Sequence, residues 1–209
     1  MQKRNFLTAL AGVGLVAISG LAQAQDNSFK VGLILPMSGP FAATGKQLES
    51  AARLYMAQNG DTVAGRKLVL IVKDDTGSPE VTKRIAQELV VNDKVQVLAG
   101  FGLTPLAMAT APVATQSKTP MVVMAAATST VTDASPYIVR TSFTVPQVVT
   151  TLADWASKNN IKRVVSLVTD YAPGIDSEKY FNQRFIAHFQ GFCGRSAEGA
   201  ADVGGLLLR

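Results

Sequence analysis

The chain has 209 residues, 47% of them apolar, and a net charge of +5 at pH 7, enough to bury the core of one domain or one and a half. Lys and Arg alternate with Asp and Glu instead of clustering, which excludes a nucleic-acid footprint. The lone cysteine, Cys193, and the lone histidine, His188, both sit near the end, so an internal disulfide, a His/Cys zinc site and a Ser-His-Asp hydrolase are excluded for want of partners.

Lys3 and Arg4 precede an apolar run from Phe6 to Ile18 and the small-x-small triplet Ala22-Gln23-Ala24. That is the layout of a secretory signal, with cleavage expected after Ala24. The run falls short of the ~20 apolar residues a spanning helix needs. Phe29 to Leu35 is nearly all apolar, as in a strand covered on both faces. After the loop Pro36 to Gly45, a helix from Lys46 to Asn59 places Leu48, Ala51, Ala52 and Tyr55 on one face and stops at Asn59-Gly60. Arg66 to Asp74 is a second strand, and Asp74-Asp75 at its end read as solvated loop carboxylates, not a metal site. Ser78-Pro79 supplies an N-cap and a proline at the first helical position, starting a helix to Asn92 with Val81, Ile85 and Leu89 inward. A third strand spans Val95 to Ala99. Thr104-Pro105 is expected to cap the next helix in the same manner, Thr119-Pro120 ends it, and Met121 to Met124 is the fourth strand.

Strand and helix thus alternate with short links, which predicts an α/β fold built on a doubly wound parallel sheet with right-handed crossovers. Three loops of similar composition, Pro36 to Gly45, Gly100 to Pro105 and Ala125 to Ser129, then gather at the carboxyl edge, where such sheets bind ligands. Thr104 stands at a helix start whose free N–H groups favour an anion, although an N-cap alone would explain it. Ala125, Ala126 and Ala127 lack bulk and let a ligand approach the backbone. Thr128 and Ser129 offer hydroxyls, or else bond to their own turn. Phe41 and Phe101 are candidate pocket walls, or core residues at strand ends. Gly100-Phe-Gly102 begins like a dinucleotide fingerprint, but a proline replaces the third glycine and no acid follows the strand at Met124. No Gly-x-Ser-x-Gly elbow occurs. No catalytic residue, metal or cofactor is expected.

Arg140 to Pro146 reads as a hinge. Beyond it, a helix from Pro146 to Lys158 is expected to bury Val148, Leu152, Trp155 and Ala156, followed by a strand from Arg163 to Thr169. A helix from about Ile175 to Phe189 then aligns Phe181, Phe185 and Phe189 on a face that so small a lobe would leave uncovered. From Gln190 to Arg209, five glycines appear without strand alternation or helix period. The segment reads as an aberrant tail in which the reading frame is lost near His188, the alternative being a flexible terminus. The expected division is a signal peptide over 1–24, a first lobe over 25–140, a hinge and the start of a second lobe over 141–189, and the tail over 190–209.

Six segments, Leu35 to Gly45, Lys73 to Thr76, Gly100 to Pro105, Met124 to Ser129, Ile138 to Thr141 and Thr169 to Gly174, follow one another in a way that resembles the Leu/Ile/Val-type (type I) periplasmic solute-binding proteins of ABC transporters. The resemblance covers about Phe29 to Phe185. It implies a type I periplasmic-binding-protein fold, two α/β lobes closing on a solute, with the first lobe complete here, the second only begun, and a C-terminal truncation. It also implies that Thr104 meets a ligand carboxylate, that Ala126, Ala127 and Thr128 hold the ligand's polar end, and that Tyr171 comes from the second lobe. Ala172 departs from the glycine frequent in such proteins. The implied function is capture, in the periplasm and without catalysis, of a small carboxylate-bearing solute (branched-chain amino acid, amide or aromatic acid) for an ABC importer. The partners would be that solute and a membrane permease, with no nucleic acid, and the full-length protein would be a monomer. The alternative is a ligand-sensing regulatory subunit on the same scaffold.

Overall fold

The computed structural model describes residues 27–193 and 202–208, with side chains from 27 to 188. The expected leader and its cleavage site, residues 194–201 and 209 of the tail, and the Phe189 side chain lie outside these.

Six strands form the first sheet: β1 (Ser28–Leu35), β2 (Thr62–Val63), β3 (Arg66–Asp74), β4 (Val97–Gly100), β5 (Met121–Val123) and β6 (Ile138–Arg140). Their order is β2-β3-β1-β4-β5-β6, parallel throughout except for the β2–β3 pair. The doubly wound parallel sheet expected from the sequence is therefore present. The two-residue β2 was not foreseen, because two exposed residues carry no alternation. Three helices connect the parallel strands: α1 (Ala42–Asn59), α2 (Pro79–Val91) and α3 (Thr104–Ser117). Side chains alternate along β1, so Ile34 enters the core that α2 and α3 build with Leu89, Leu98, Met121 and Val123. Leu33 and Leu35 point the other way, where they meet Ala99 and the half-buried Leu48 of α1. That second face is thinly covered. Tyr55 and Ala51 of α1 are exposed, and only Leu48 and Ala52 of the expected stripe are partly buried.

Local chemistry sets the helix starts. Ser78 caps α2 as expected, its hydroxyl accepting from the Val81 N–H at 3.4 Å ahead of Pro79. Thr104 does not cap α3: it is the first helical residue, the N-cap is Leu103, and no side-chain capping bond forms. The proline at the second helical position fixes the start without a hydroxyl.

The chain continues through α4 (Val145–Lys158), β7 (Arg163–Thr169), α5 (Ala172–Cys193) and β8 (Asp202–Leu208). Thr144 and Gln147 close a capping box at the start of α4. The buried stripe of α4 is rotated by about one residue from the expected one. Ala153 and Ala156 face inward, while Val148, Leu152 and Trp155 are exposed. Small residues let α4 approach α5 closely, and the two bury Phe181 and Phe185, which stack with ring centroids 5.6 Å apart. The expectation that these two phenylalanines stay uncovered is thus overturned by helix-on-helix packing. Uncovered apolar surface lies instead on that outer stripe of α4 and on β7, where Val165 is 76% and Leu167 65% exposed. The tail, expected to lack a strand, contributes β8, which pairs in parallel with β7 from Arg163↔Asp202 to Thr169↔Leu208. A ladder of backbone groups needs no side-chain alternation, so the glycines at 204 and 205 do not prevent it.

A charge cluster fastens α5 to α4. Arg184 donates to both oxygens of Asp154, at 2.6 and 3.1 Å, and His188 Nε2 lies 2.6 Å from Asp154 Oδ1. The Arg184 hydrogen bond first, then that of His188, holds the Asp154 carboxyl well below its ordinary value of 3.8. A depressed carboxylate contributes stability above its unfolded-state value that is lost as the pH falls through the folded one. The stability difference between the parent and Asp154→Asn, read from urea midpoints, is therefore expected to be full above about pH 4 and to shrink below it.

Candidate functional site

The chain builds β3 on one side of β1 and then crosses to build β4 on the other, so the carboxyl ends of β1 and β4 flank the topological switch point. Three loops meet there. After β1, the Met37 N–H donates to Asp74 Oδ1 at 2.9 Å. Burial pushes the Asp74 carboxyl up, but hydrogen bonds from the Ser38 hydroxyl and from the N–H groups of Thr76, Met37 and Ser38 outweigh it and lower the group overall. Asp74 thus fixes the first loop. Asp75, expected to be solvated, is fully buried: its Oδ1 accepts from the Gly77 N–H at 2.8 Å, and burial, with the charge of Asp74 adding, raises its carboxyl. At Gly45 a Cβ would lie 2.1 Å from the Pro36 carbonyl oxygen, so only glycine lets the first turns of α1 close on that loop.

After β4, the Phe101 N–H donates to Ile34 O at 2.9 Å, and the Phe101 carbonyl accepts from the Ala126 N–H at 3.0 Å. These bonds lock the second loop between the first and the third. They also correct two expectations. Phe101 is 0% exposed and belongs to the core below the site, so it is no pocket wall. The Ala126 N–H is engaged within the fold, and its side chain, 2% exposed, packs in the same core as Phe101, so neither group is open to a ligand.

Thr104 at the start of α3 and Thr128 after β5 come together, their hydroxyls 2.8 Å apart. They are 4% and 2% exposed, respectively. Neither hydroxyl caps a helix, although Thr128 occupies the N-cap position of the 3-10 turn Ser129–Ala134. The third loop is held from both sides. Arg140 Nη1 donates to the Thr128 carbonyl at 2.6 Å, and the Val145 N–H donates to Ala127 O at 2.8 Å. From α5, Asp176 accepts the Ser129 N–H at 2.6 Å and the Ser129 hydroxyl at 3.0 Å. Ser129 is therefore committed to Asp176.

Tyr171 precedes α5, with its carbonyl accepting from the Ile175 N–H at 3.0 Å, and its side chain is 42% exposed. Ala172 begins the helix without disturbing it. Phe41, 48% exposed, ends the 3-10 turn Gly39–Phe41. Ala127 is half-buried. Asp74, Arg140 and Asp176, which hold the loops, were not identified from the sequence. Asp74 and Arg140 end strands, a position that signals a loop clamp, but nothing local marks Asp176, whose partner lies far back in the chain.

Comparisons with known proteins bear on the fold and the family. The family described as "Periplasmic binding protein" matches residues 28–196. The chain is 45% identical over 185 residues to Leu/Ile/Val-binding protein homolog 6 of Brucella abortus (strain 2308), a match covering 88% of this chain and 46% of that protein. A solved ABC-transporter solute-binding protein from Rhodopseudomonas palustris BisB5, in complex with 3,4-dihydroxybenzoic acid, is 51% identical with a TM-score of 0.79, over 87% of this chain and 47% of that one. A second from R. palustris, in complex with 4-hydroxybenzoate, is 38% identical with a TM-score of 0.77, over 87% and 47%. The chain thus spans about half the length of the relatives it matches. With its switch-point loops, its sheet order and these matches in agreement, the chain belongs to the periplasmic binding protein family.

Proposed function

We propose that the chain captures a small aromatic carboxylate and serves as the substrate-binding part of an ABC importer, without catalysing a reaction on it. The observation that carries this reading is the buried Thr104–Thr128 hydroxyl pair at the head of α3. A buried carboxylate must be met by donors, and this hydroxyl pair, in which one O–H donates to the other and leaves the second O–H to donate outward, stands at the positive end of α3. The half-buried Ala127 adds no bulk beside them, and Phe41 and Tyr171 supply exposed aromatic surface for a ring. The preference for an aromatic acid over a branched-chain amino acid is supported by the Rhodopseudomonas protein, 51% identical, that was solved with 3,4-dihydroxybenzoic acid. On this reading the chain is exported, is cleaved after Ala24, works in the periplasm and hands its solute to a membrane permease as a monomer.

Calorimetry with 3,4-dihydroxybenzoate, 4-hydroxybenzoate and leucine, each beside its methyl ester, tests the reading. The aromatic acids are expected to bind, and their esters to bind at least ~10-fold more weakly, since a lost hydrogen bond to a charged group is worth that much. Esters binding as well as acids overturn the carboxylate assignment, and leucine binding in place of the aromatic acids overturns the ligand class.

A further inference from the structure

Thr128 sits where a helix cap belongs, yet it does not cap. At the N-cap of a helix a threonine hydroxyl ordinarily accepts from an N–H of the first turn. Here Thr128 has the extended ψ of 139° that suits the role, but its hydroxyl turns to Thr104 at 2.8 Å and no side-chain capping bond forms. The open N–H at the start of this 3-10 turn, that of Ser129, is met from another element: Asp176 of α5 accepts it at 2.6 Å and takes the Ser129 hydroxyl at 3.0 Å with its other oxygen. Asp176 is 8% exposed, so this is an interior bond made with a charged acceptor. From the opposite side Arg140 donates to the Thr128 carbonyl at 2.6 Å.

We propose that Asp176 is a positioning residue for ligand capture: by tying both the N–H and the hydroxyl of Ser129, it fixes the loop that carries Thr128 and so holds the Thr128 hydroxyl against Thr104. The role rests on the carboxylate-binding reading above. It also makes the donor pair of the first lobe depend on where α5 lies, since the bonds to Ser129 are supplied from the far side of the β6–α4 connection. When α5 moves away, the loop loses both bonds to Ser129, and the Thr128 hydroxyl is no longer held against Thr104. The two lobes are thereby linked through one carboxylate, and ligand-ready geometry in one requires the other to be in place.

The test is a double-mutant cycle on the full chain, with the dissociation constant for 3,4-dihydroxybenzoate read by calorimetry. Asp176→Ala is expected to weaken binding about tenfold, as is Thr128→Val alone. In the Asp176→Ala background, Thr128→Val is expected to cost less than about twofold, because the hydroxyl has already left the site. Asp176→Asn, which keeps the shape and one acceptor, is expected to fall between parent and alanine and guards against simple misfolding. If the two losses multiply, Asp176 does not act through Thr128 and the proposal is overturned. The Ser129 amide, followed by hydrogen exchange in the ligand-free protein, gives a readout independent of the ligand: exchange is expected to accelerate at least ~10-fold in Asp176→Ala. Should no acid bind the parent, the carboxylate reading fails while the exchange still decides whether Asp176 fixes the loop, and an unchanged Ser129 rate overturns that role.

Discussion

Valine at position 104 is expected to raise the dissociation constant for 3,4-dihydroxybenzoate about 10- to 100-fold, the roughly 1.5–3 kcal/mol of a hydrogen bond to a charged group. The same change acts on the free protein. Thr104 and Thr128 partner each other in the absence of ligand, and Thr128 is only 2% exposed. Removing one hydroxyl strands the other away from water, at a cost of about 1–3 kcal/mol in folding stability. Replacing both threonines by valine removes both ends of the bond and keeps the shape, so the stability is expected to return while the affinity does not. Urea unfolding beside calorimetry separates the two effects. A Thr104→Val protein that binds like the parent refutes the carboxylate role, and a double variant no more stable than the single refutes the pairing.

The largest loss of stability is expected from Gly100→Ala, at the last residue of β4. Gly100 has φ +113°, and a Cβ there would lie 2.1 Å from the Ile34 carbonyl oxygen and 2.9 Å from its carbon. That oxygen accepts from the Phe101 N–H at 2.9 Å, so it cannot retreat without opening the joint between β1 and β4. Backbone strain of about 1–3 kcal/mol and overpacking of about 1–3 kcal/mol add to roughly 2–6 kcal/mol, a large part of the 5–15 kcal/mol that holds a typical domain. Gly39→Ala is the control: φ there is +71°, but nothing lies within 4 Å of the added atom, so only the strain of about 1 kcal/mol is expected. Equal urea midpoints for the two variants would show that the close approach at Gly100 does not matter.

The parallel sheet was legible because its strands are short apolar runs closed by turn residues. Phe29 to Leu35 reads as a strand covered on both faces, and Leu33, Ile34 and Leu35 are indeed buried. Helix starts were legible wherever the cap is local, as at Ser78. What the sequence hid is which neighbour covers a face. Val148, Leu152 and Trp155 form an apolar stripe as good as the one actually buried, and only the position of α5 decides that Ala153 and Ala156 turn inward. The site divides in the same way. Thr104 and Thr128 were identifiable because their loops end consecutive parallel strands. Phe101 went the other way because its left-handed backbone, φ +63°, drops the ring beneath the loop and into the core. Asp176 acts across the connection between two sheets, and no periodicity records a partner at that distance.

The central place of β1 has a consequence in time. Val31 pairs with Leu70 on one side and with Val97 on the other, so the first strand to emerge during synthesis stays half-edged until the fourth exists. At roughly 5–20 residues per second that wait is on the order of several seconds. Parallel pairing through crossovers is also intrinsically slow, because loop closure must precede the contacts that reward it. Throughout this interval β1 presents one unpaired edge, and the sheet that later positions Thr104 against Thr128 sets its own delay.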